Sequence, residues 1–281
     1  MSVAIVTDST SDLDPARAAE LGVTVVPLFV LFGGKSYRDY LDVSRADFYQ
    51  HLERDRVLPT TSQPSPEMFA DAFAPHVAAN REIVCLTISS ELSGTINAAR
   101  SAAEGFSNAK IHVIDSRSVA GGLLLQVLHA RDLALAGASS AQILEGLAHD
   151  RQTQRLYAVL PDLTHVVRTG RIGRAAGAIG NLMKIVPVLR LQDGFVEAEA
   201  RVRTFNRAVD TMIDATLRSV RDRSRARLMV MHTKAPELAE RTAATLRERL
   251  GAAPQSLELL EAGPVIATHA GAGAVGIFSV E

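Results

Sequence analysis

The chain has 281 residues, of which 47% are hydrophobic and 22% charged, with a formal net charge of -1. This length suits two domains with ample core, and the balanced charge excludes a global field that would draw in nucleic acid or an anionic membrane. The single cysteine, Cys85, excludes an intrachain disulfide and the cysteine-rich zinc sites.

The opening MSVAIVTDST has neither the basic start nor the long apolar stretch of a signal peptide. No run approaches the ~18 apolar residues of a membrane span, so a cytoplasmic protein is expected. Residues 3–7 are a short β-branched run and read as a first strand. Asp14-Pro15 opens a helix, with Asp as cap and Pro at the first helical position. Residues 23–32 form a second apolar run, closed by a Gly33-Gly34 turn. Ser44 and Asp47 have the spacing of a capping arrangement ahead of Phe48-Tyr49. Ser65-Pro66 starts another helix, with Met68, Phe69, Ala72 and Phe73 on one apolar face. Strands are predicted over 83–88 and 111–114, and helices over 95–103 and 119–135. The run IVCLTI makes Cys85 a buried strand thiol. This alternation argues for a Rossmann-like, mainly parallel sheet with helices on both faces.

The second half reads differently. Residues 186–191 and 195–199 flank Asp193-Gly194, a hairpin signal. A helix is predicted over 205–220, a strand over 228–233, a helix over 235–250, and strands over 257–261 and 277–280. Residues 265–267 also read as strand-like after the Gly263-Pro264 turn. The expected fold class is therefore α/β with two domains: an N-terminal domain over 1–160, and a C-terminal α+β domain over 161–281 with mixed or antiparallel pairing.

Ligands of open α/β sheets sit beyond the carboxyl ends of the strands. Three predicted strands end in hydroxyl-rich loops: Thr7 to Asp12, Ser89 to Thr95, and Asp115 to Ser118. A fourth such loop, Thr60 to Ser65, precedes a helix. Many of these residues serve as caps and turns, and Asp8, Asp12 and Asp115 fit that role. The surplus suits an anion, a carboxylate or a phosphate, held by hydroxyls and helix N-terminal N–H groups. Ser93 stands in E-L-S-G-T rather than in a G-x-S-x-G elbow, and Ile96 occupies the position a lysine would need.

None of the eight histidines has metal-site spacing, so no metal is expected. His269 stands apart because it precedes a glycine cluster where backbone can approach a ligand closely. That cluster, GAGAVG, matches G-x-G-x-x-G, yet only five residues follow Gly276. The helix and acidic residue of a dinucleotide site have no room. Gly170-Arg171-Ile172-Gly173-Arg174 forms a compact basic loop with Arg168 before it, and Arg203 could join it as an anion or partner contact.

Six segments together resemble the DegV family: VAIVTDSTSDL at 3–13, PTTSQPSP at 59–66, TISSELSGT at 87–95, VIDSRSVAGG at 113–122, RTGRIG at 168–173 and GPVIATHAGAGAVG at 263–276. That family includes the fatty-acid-binding subunits of bacterial fatty acid kinase. The resemblance implies two α/β domains of the DegV (EDD-like) fold with a long-chain fatty acid, palmitate- or oleate-like, enclosed between them. It implies a carboxylate bound by Thr61, Ser62, Ser93 and Gly94 of the T-S-Q-P and S-G-T segments, and by His269. It also implies a separate ATP-dependent kinase that phosphorylates the bound carboxylate, with Arg171 and Arg203 as docking residues. On this reading the chain is not itself an enzyme and needs no cofactor beyond its lipid. Ala267, Ala270 and Ala272 depart from the family's usual terminal segment. The competing classes are a serine-dependent acyl hydrolase or a phosphotransferase using Ser93 and His269, and an interaction module whose lipid is structural.

Overall fold

The computed structural model describes residues 3–54, 58–175, 185–251 and 253–281. They divide into two compact units, Met1–Gln152 and Thr153–Glu281.

The first unit runs β1 (Val3–Asp8), a 3₁₀ turn (Ser9–Ser11), α1 (Pro15–Leu21), β2 (Thr24–Val26), β3 (Phe29–Phe32), β4 (Lys35–Arg38), α2 (Arg45–Arg54), β5 (Thr60–Ser62), α3 (Pro66–Ala78), β6 (Glu82–Thr87), α4 (Thr95–Glu104), β7 (Ile111–Asp115), α5 (Gly121–Leu135) and α6 (Ser140–Thr153). Four of its strands form a parallel sheet in the order β2-β1-β6-β7. Alternation along β1 and β6 sends Ala4, Val6, Ile83 and Cys85 to one face, where Phe69 and Phe73 of α3 and Ala98 and Ala99 of α4 cover them. Ile5, Val84 and Leu86 on the other face are buried as well, and α5 packs against β1 and β6. Cys85 is fully buried, and burial followed by the nearby Asp8 carboxylate pushes its thiol well above the usual range.

The local start signals act as their chemistry dictates. Asp14 accepts from Arg17 N–H at 2.9 Å and opens α1. Ser44 Oγ donates to Asp47 Oδ2 at 2.7 Å and accepts from Asp47 N–H at 3.1 Å. One expectation is sharpened and one is corrected. The apolar run 23–32 is two strands separated by Pro27, which has no N–H to continue a ladder; β2 joins the parallel sheet and β3 a separate antiparallel one. The supposed loop at Thr60 is β5, an edge strand pairing with β3 so that Val30 lies opposite Thr61 and Phe29 opposite Ser62.

The second unit runs β8 (Arg155–Val159), α7 (Thr164–Arg168), β9 (Val186–Gln192), β10 (Phe195–Val202), α8 (Phe205–Ser219), β11 (Arg227–His232), α9 (Pro236–Leu250), β12 (Ser256–Glu261), α10 (Pro264–Ala270) and β13 (Val275–Val280). Its sheet has the order β10-β9-β8-β13-β11-β12; β11 and β12 run parallel and the other neighbours antiparallel. Met212 and Ile213 of α8 and Ala243 and Leu246 of α9 pack with Val159, Val230 and Ile277 of the strands. The hairpin turn has positive φ at both Asp193 and Gly194, 50° and 85°, which matches the right-handed twist of its strands.

The division between units falls after Gln152, eight residues before the expected 160. Residues 155–159 are the reason: they form β8, whose backbone pairs with β9 and β13. Residues 265–267 are not strand-like but lie in α10. Gly263 takes the extended cap position, and Pro264, pre-set for helical φ and without an N–H to lose, starts the helix. Val265 and Ala267 are buried, so no solvent-facing stripe betrays the helical period in the sequence.

Candidate functional site

The carboxyl ends of β1, β6 and β7 converge in the first unit, and a carboxylate network ties them together. Asp8 accepts from Thr10 N–H at 3.0 Å, Thr10 Oγ1 at 2.5 Å and Ile88 N–H at 2.8 Å. It is fully buried, and burial outweighs these donors, raising its pKa to about 6. Asp115 ends β7 and accepts from Ser90 Oγ at 2.6 Å and Arg117 N–H at 2.8 Å. Backbone bonds join the loops, with Ser89 N–H donating to Ser118 O at 2.8 Å and Ala120 N–H to Thr10 O at 2.9 Å. Asp8, Ser9, Thr10 and Ser11 are thus largely structural, as capping chemistry anticipates.

The residues left over are those of the S-G-T and T-S-Q-P segments. Ser93 Oγ and Thr95 Oγ1 lie 2.8 Å apart at the N-terminus of α4. Gly94 is the cap residue and has no side-chain acceptor; Ser93 Oγ accepts from Thr95 N–H at 3.4 Å instead, at the positive end of the ten-residue helix. Gly94 also packs against Gln63: a Cβ placed there would collide with the Gln63 amide oxygen and lie 3.3 Å from its Cδ. That close approach brings the two segments together, because Gln63 follows β5 directly. Thr61 is half-buried and Ser62 exposed on β5. Gln63 was not among the expected site residues, although it lies inside the segment that pointed to Thr61 and Ser62.

The second unit holds a different cluster. His269 occupies the last turn of α10 and is half-buried. Its Nδ1 lies 2.8 Å from Thr169 Oγ1, just beyond α7. Burial first, then the charges of Arg171 and His165, pull the imidazole pKa down to about 4. Arg171 Nη1 donates to Thr169 O at 2.5 Å, so this arginine is part of the histidine's surroundings. His165 Nδ1 donates to Thr268 O at 3.2 Å, and its ring covers Gly271, whose added Cβ would lie 2.9 Å from His165 Cδ2. Thr169 and His165 escaped the sequence reading; the only signal for Thr169 was its place in RTGRIG.

The glycines of the tail serve the turn between α10 and β13. Gly271 and Gly273 have φ of 71° and 86°, values that favour glycine. Thr233 Oγ1 donates to Gly271 O at 2.5 Å and accepts from Ala274 N–H at 2.9 Å, fixing the turn. In the basic loop, Gly173 has φ of 57°, and a Cβ there would lie 2.9 Å from Val196 O of β10. Arg174 stacks over Phe195 at 3.8 Å and pairs with Glu197 at 3.3 Å. Arg203 is exposed between β10 and α8.

The DegV family model matches residues 2–281. The chain belongs to the DegV family. A DegV domain-containing protein of Deinococcus radiodurans is 39% identical over 277 residues, covering 99% of this chain and 98% of that one. The structure of a fatty-acid-binding DegV family protein from Thermus thermophilus is 33% identical with a TM-score of 0.91 and covers both chains fully. A stearic acid-binding protein from Eubacterium ventriosum is 26% identical with a TM-score of 0.91, over 99% of this chain and 97% of that one. The DegV fold therefore carries fatty-acid binding in relatives of this chain. Among the described residues, no group of three or more His, Cys, Asp or Glu could hold a metal ion, and no helix is long and apolar enough to cross a membrane.

Proposed function

We propose that this DegV chain binds a long-chain fatty acid in the cytoplasm and presents its carboxylate to a separate ATP-dependent fatty acid kinase. The head-group residues of this proposal are Thr61, Ser62, Ser93 and Gly94 of the first unit; His269, in the second unit, is a further candidate. The packing of Gln63 on Gly94 carries this reading, since it sets two hydroxyl segments beside the N-terminus of α4, where Gly94 itself has no side chain to cap it. The fatty-acid-binding relatives from Thermus thermophilus and Eubacterium ventriosum support it.

The chemistry is consistent with that ligand. Burying an acyl tail gains ~0.8 kcal/mol per methylene. Burying the carboxylate is costly unless donors replace water. Hydroxyl and N–H donors leave it less tightly paired than a bidentate arginine would, which suits a head group that must later accept phosphate. Ser93 Oγ lies 2.8 Å from Thr95 Oγ1, so this proposal takes Ser93 as a hydroxyl donor to the carboxylate. Arg203, exposed, and Arg171, beside His269, are the docking residues of this proposal.

Lipid mass spectrometry of the denatured, extracted protein tests the ligand. A stoichiometric long-chain fatty acid is expected. Finding none, together with no binding of added palmitate or oleate, overturns the reading. An acyl-ester turnover that disappears in Ser93→Ala would replace it with a hydrolase.

A further inference from the structure

Nothing in the backbone requires a glycine at position 94. Its φ and ψ, -75° and 8°, are open to any residue, unlike the positive φ of Gly173 or Gly271. Its place as the cap of α4 does not require one either, since Ser, Thr, Asp or Asn would supply an acceptor there. The space is what asks for it. A Cβ would collide with the Gln63 amide oxygen, and would lie 3.3 Å from Gln63 Cδ and 3.6 Å from Nε2, so any larger residue pushes that amide away. The amide oxygen is the atom nearest the glycine, and the partial positive charge of the helix end favours an oxygen there. The Nε2 group, with its two N–H donors, is the more distant one. Gln63 is exposed, and no described residue hydrogen-bonds its amide. It stands one residue beyond Ser62 and touches the residue that follows Ser93.

We propose that Gln63 is a further head-group residue: its amide, seated on Gly94, donates an Nε2–H to the fatty-acid carboxylate. The inference rests on the head-group reading above and extends it from hydroxyls to an amide. An ionised carboxylate can only accept, and the amide gives it a donor that carries no charge of its own. A hydrogen bond to a charged acceptor is stronger than one between neutral groups. Gly94 then has a definite task, which is to leave room for the amide in the pose that binds. Gln63→Glu separates binding from folding. It turns a negative oxygen toward the ligand, whereas the positive end of α4 favours a carboxylate beside it, so affinity falls while stability does not.

Two measurements on the full-length, delipidated protein test this. The first is titration calorimetry with myristate below its micellar concentration, at about pH 8 so that carboxyl groups are ionised. Gln63→Ala is expected to bind about five- to tenfold more weakly than wild type, and Gly94→Ala to weaken binding as well because it displaces the amide. The double variant should stay within about twofold of Gln63→Ala alone, since both changes remove one interaction. Gln63→Glu should lose more than about tenfold, with its thermal unfolding unchanged or raised. The second is the ¹⁵N–¹H spectrum of the side-chain amides. The Gln63 signal, identified by its loss in Gln63→Ala, is expected to move downfield in the proton dimension when myristate is added to wild type, and to stay in place in Gly94→Ala. Unchanged affinity in both Gln63 variants, additive losses for Gly94→Ala and Gln63→Ala, or an amide signal indifferent to myristate overturns the inference. If Thr61→Ala and Ser93→Ala weaken binding and the Gln63 variants do not, the head-group reading stands and this inference alone falls. If myristate does not bind at all, both fall.

Discussion

In the first unit, the polar groups at the strand ends are hydroxyls, backbone N–H groups and carboxylates that satisfy one another over short distances. Asp8 collects three donors, Asp115 collects Ser90 and Arg117, and Ser93 meets Thr95. In the second, the central group is an imidazole pulled down to about 4 and oriented by a hydroxyl 100 positions away in the chain. The head-group donors proposed in the first unit do not titrate near neutrality. The candidate in the second is a group whose donor capacity depends on its protonation.

The comparison breaks most visibly at Asp8. Asp8→Ala strands the N–H groups of Thr10 and Ile88, and a loss of about 2–5 kcal/mol in unfolding free energy is expected by denaturant titration. A loss below about 1 kcal/mol would show that the strand-end network does not hold the first unit together. In the second unit, Gly173→Ala combines a positive φ with pressure on the β10 backbone and should cost about 1–3 kcal/mol. It should exceed Gly170→Ala, where φ is 72° but the space is open. The reverse order would mean that Gly173 does not touch β10 as described.

Head-group binding discriminates more finely. Ser93→Ala and Thr61→Ala should each weaken fatty-acid binding by about 1–3 kcal/mol, and equal affinity in both variants removes these hydroxyls from the site. Acid should act on the two units in opposite directions. Asp8 has a raised folded-state pKa, so its contribution to stability is fully present below 3.8 and is lost as pH rises through about 6. His269 has a depressed one, so its contribution is present above 6.5 and is lost as pH falls through about 4. Asp8→Asn and His269→Gln should therefore change the slope of stability against pH between 4 and 6.5 with opposite signs, and slopes of the same sign would refute one of the two assignments. The smallest effect is expected at Arg203. Arg203→Ala should alter stability by less than about 0.5 kcal/mol and leave fatty-acid affinity unchanged, while kinase-dependent acyl-phosphate formation slows. Unchanged phosphorylation would discard the docking role.

What could be read from the sequence follows the range of the interaction that decides it. The Asp14-Pro15 start, the Ser44–Asp47 cap and the Asp193-Gly194 turn depend on residues within four positions of one another, and all three stand as read. The segment 265–267 was misread because a short, buried helix shows no amphipathic stripe, and the Gly263-Pro264 start was taken for a turn alone. The strand at Thr60 depends on Phe29 to Leu31, some 30 residues upstream; its two β-branched threonines favour a strand, but three residues are too few to show an alternating pattern. The site divides in the same way. Hydroxyl-rich loops, one after a strand and one before a helix, marked the segments of Ser93 and Thr61, the DegV resemblance singled those two residues out, and the glycine cluster drew attention to His269. The contact of Gln63 with Gly94 and the pairing of Thr169 with His269 are made only when distant segments meet, and nothing local announces them.

The place of β13 in its sheet bears on how the protein is made. It lies between β8 and β11, and Tyr157 pairs with Ile277, 120 residues further along the chain. The sheet of the second unit has a gap at its centre until residues 275–280 have left the ribosome, whereas every strand of the first unit has emerged by residue 115. The unit that holds Thr61 and Ser93 can thus be folded long before His269 has been added to the chain. During translation the nascent chain would expose the open edges of β8 and β11, which makes that interval the one in which aggregation or chaperone capture competes with folding.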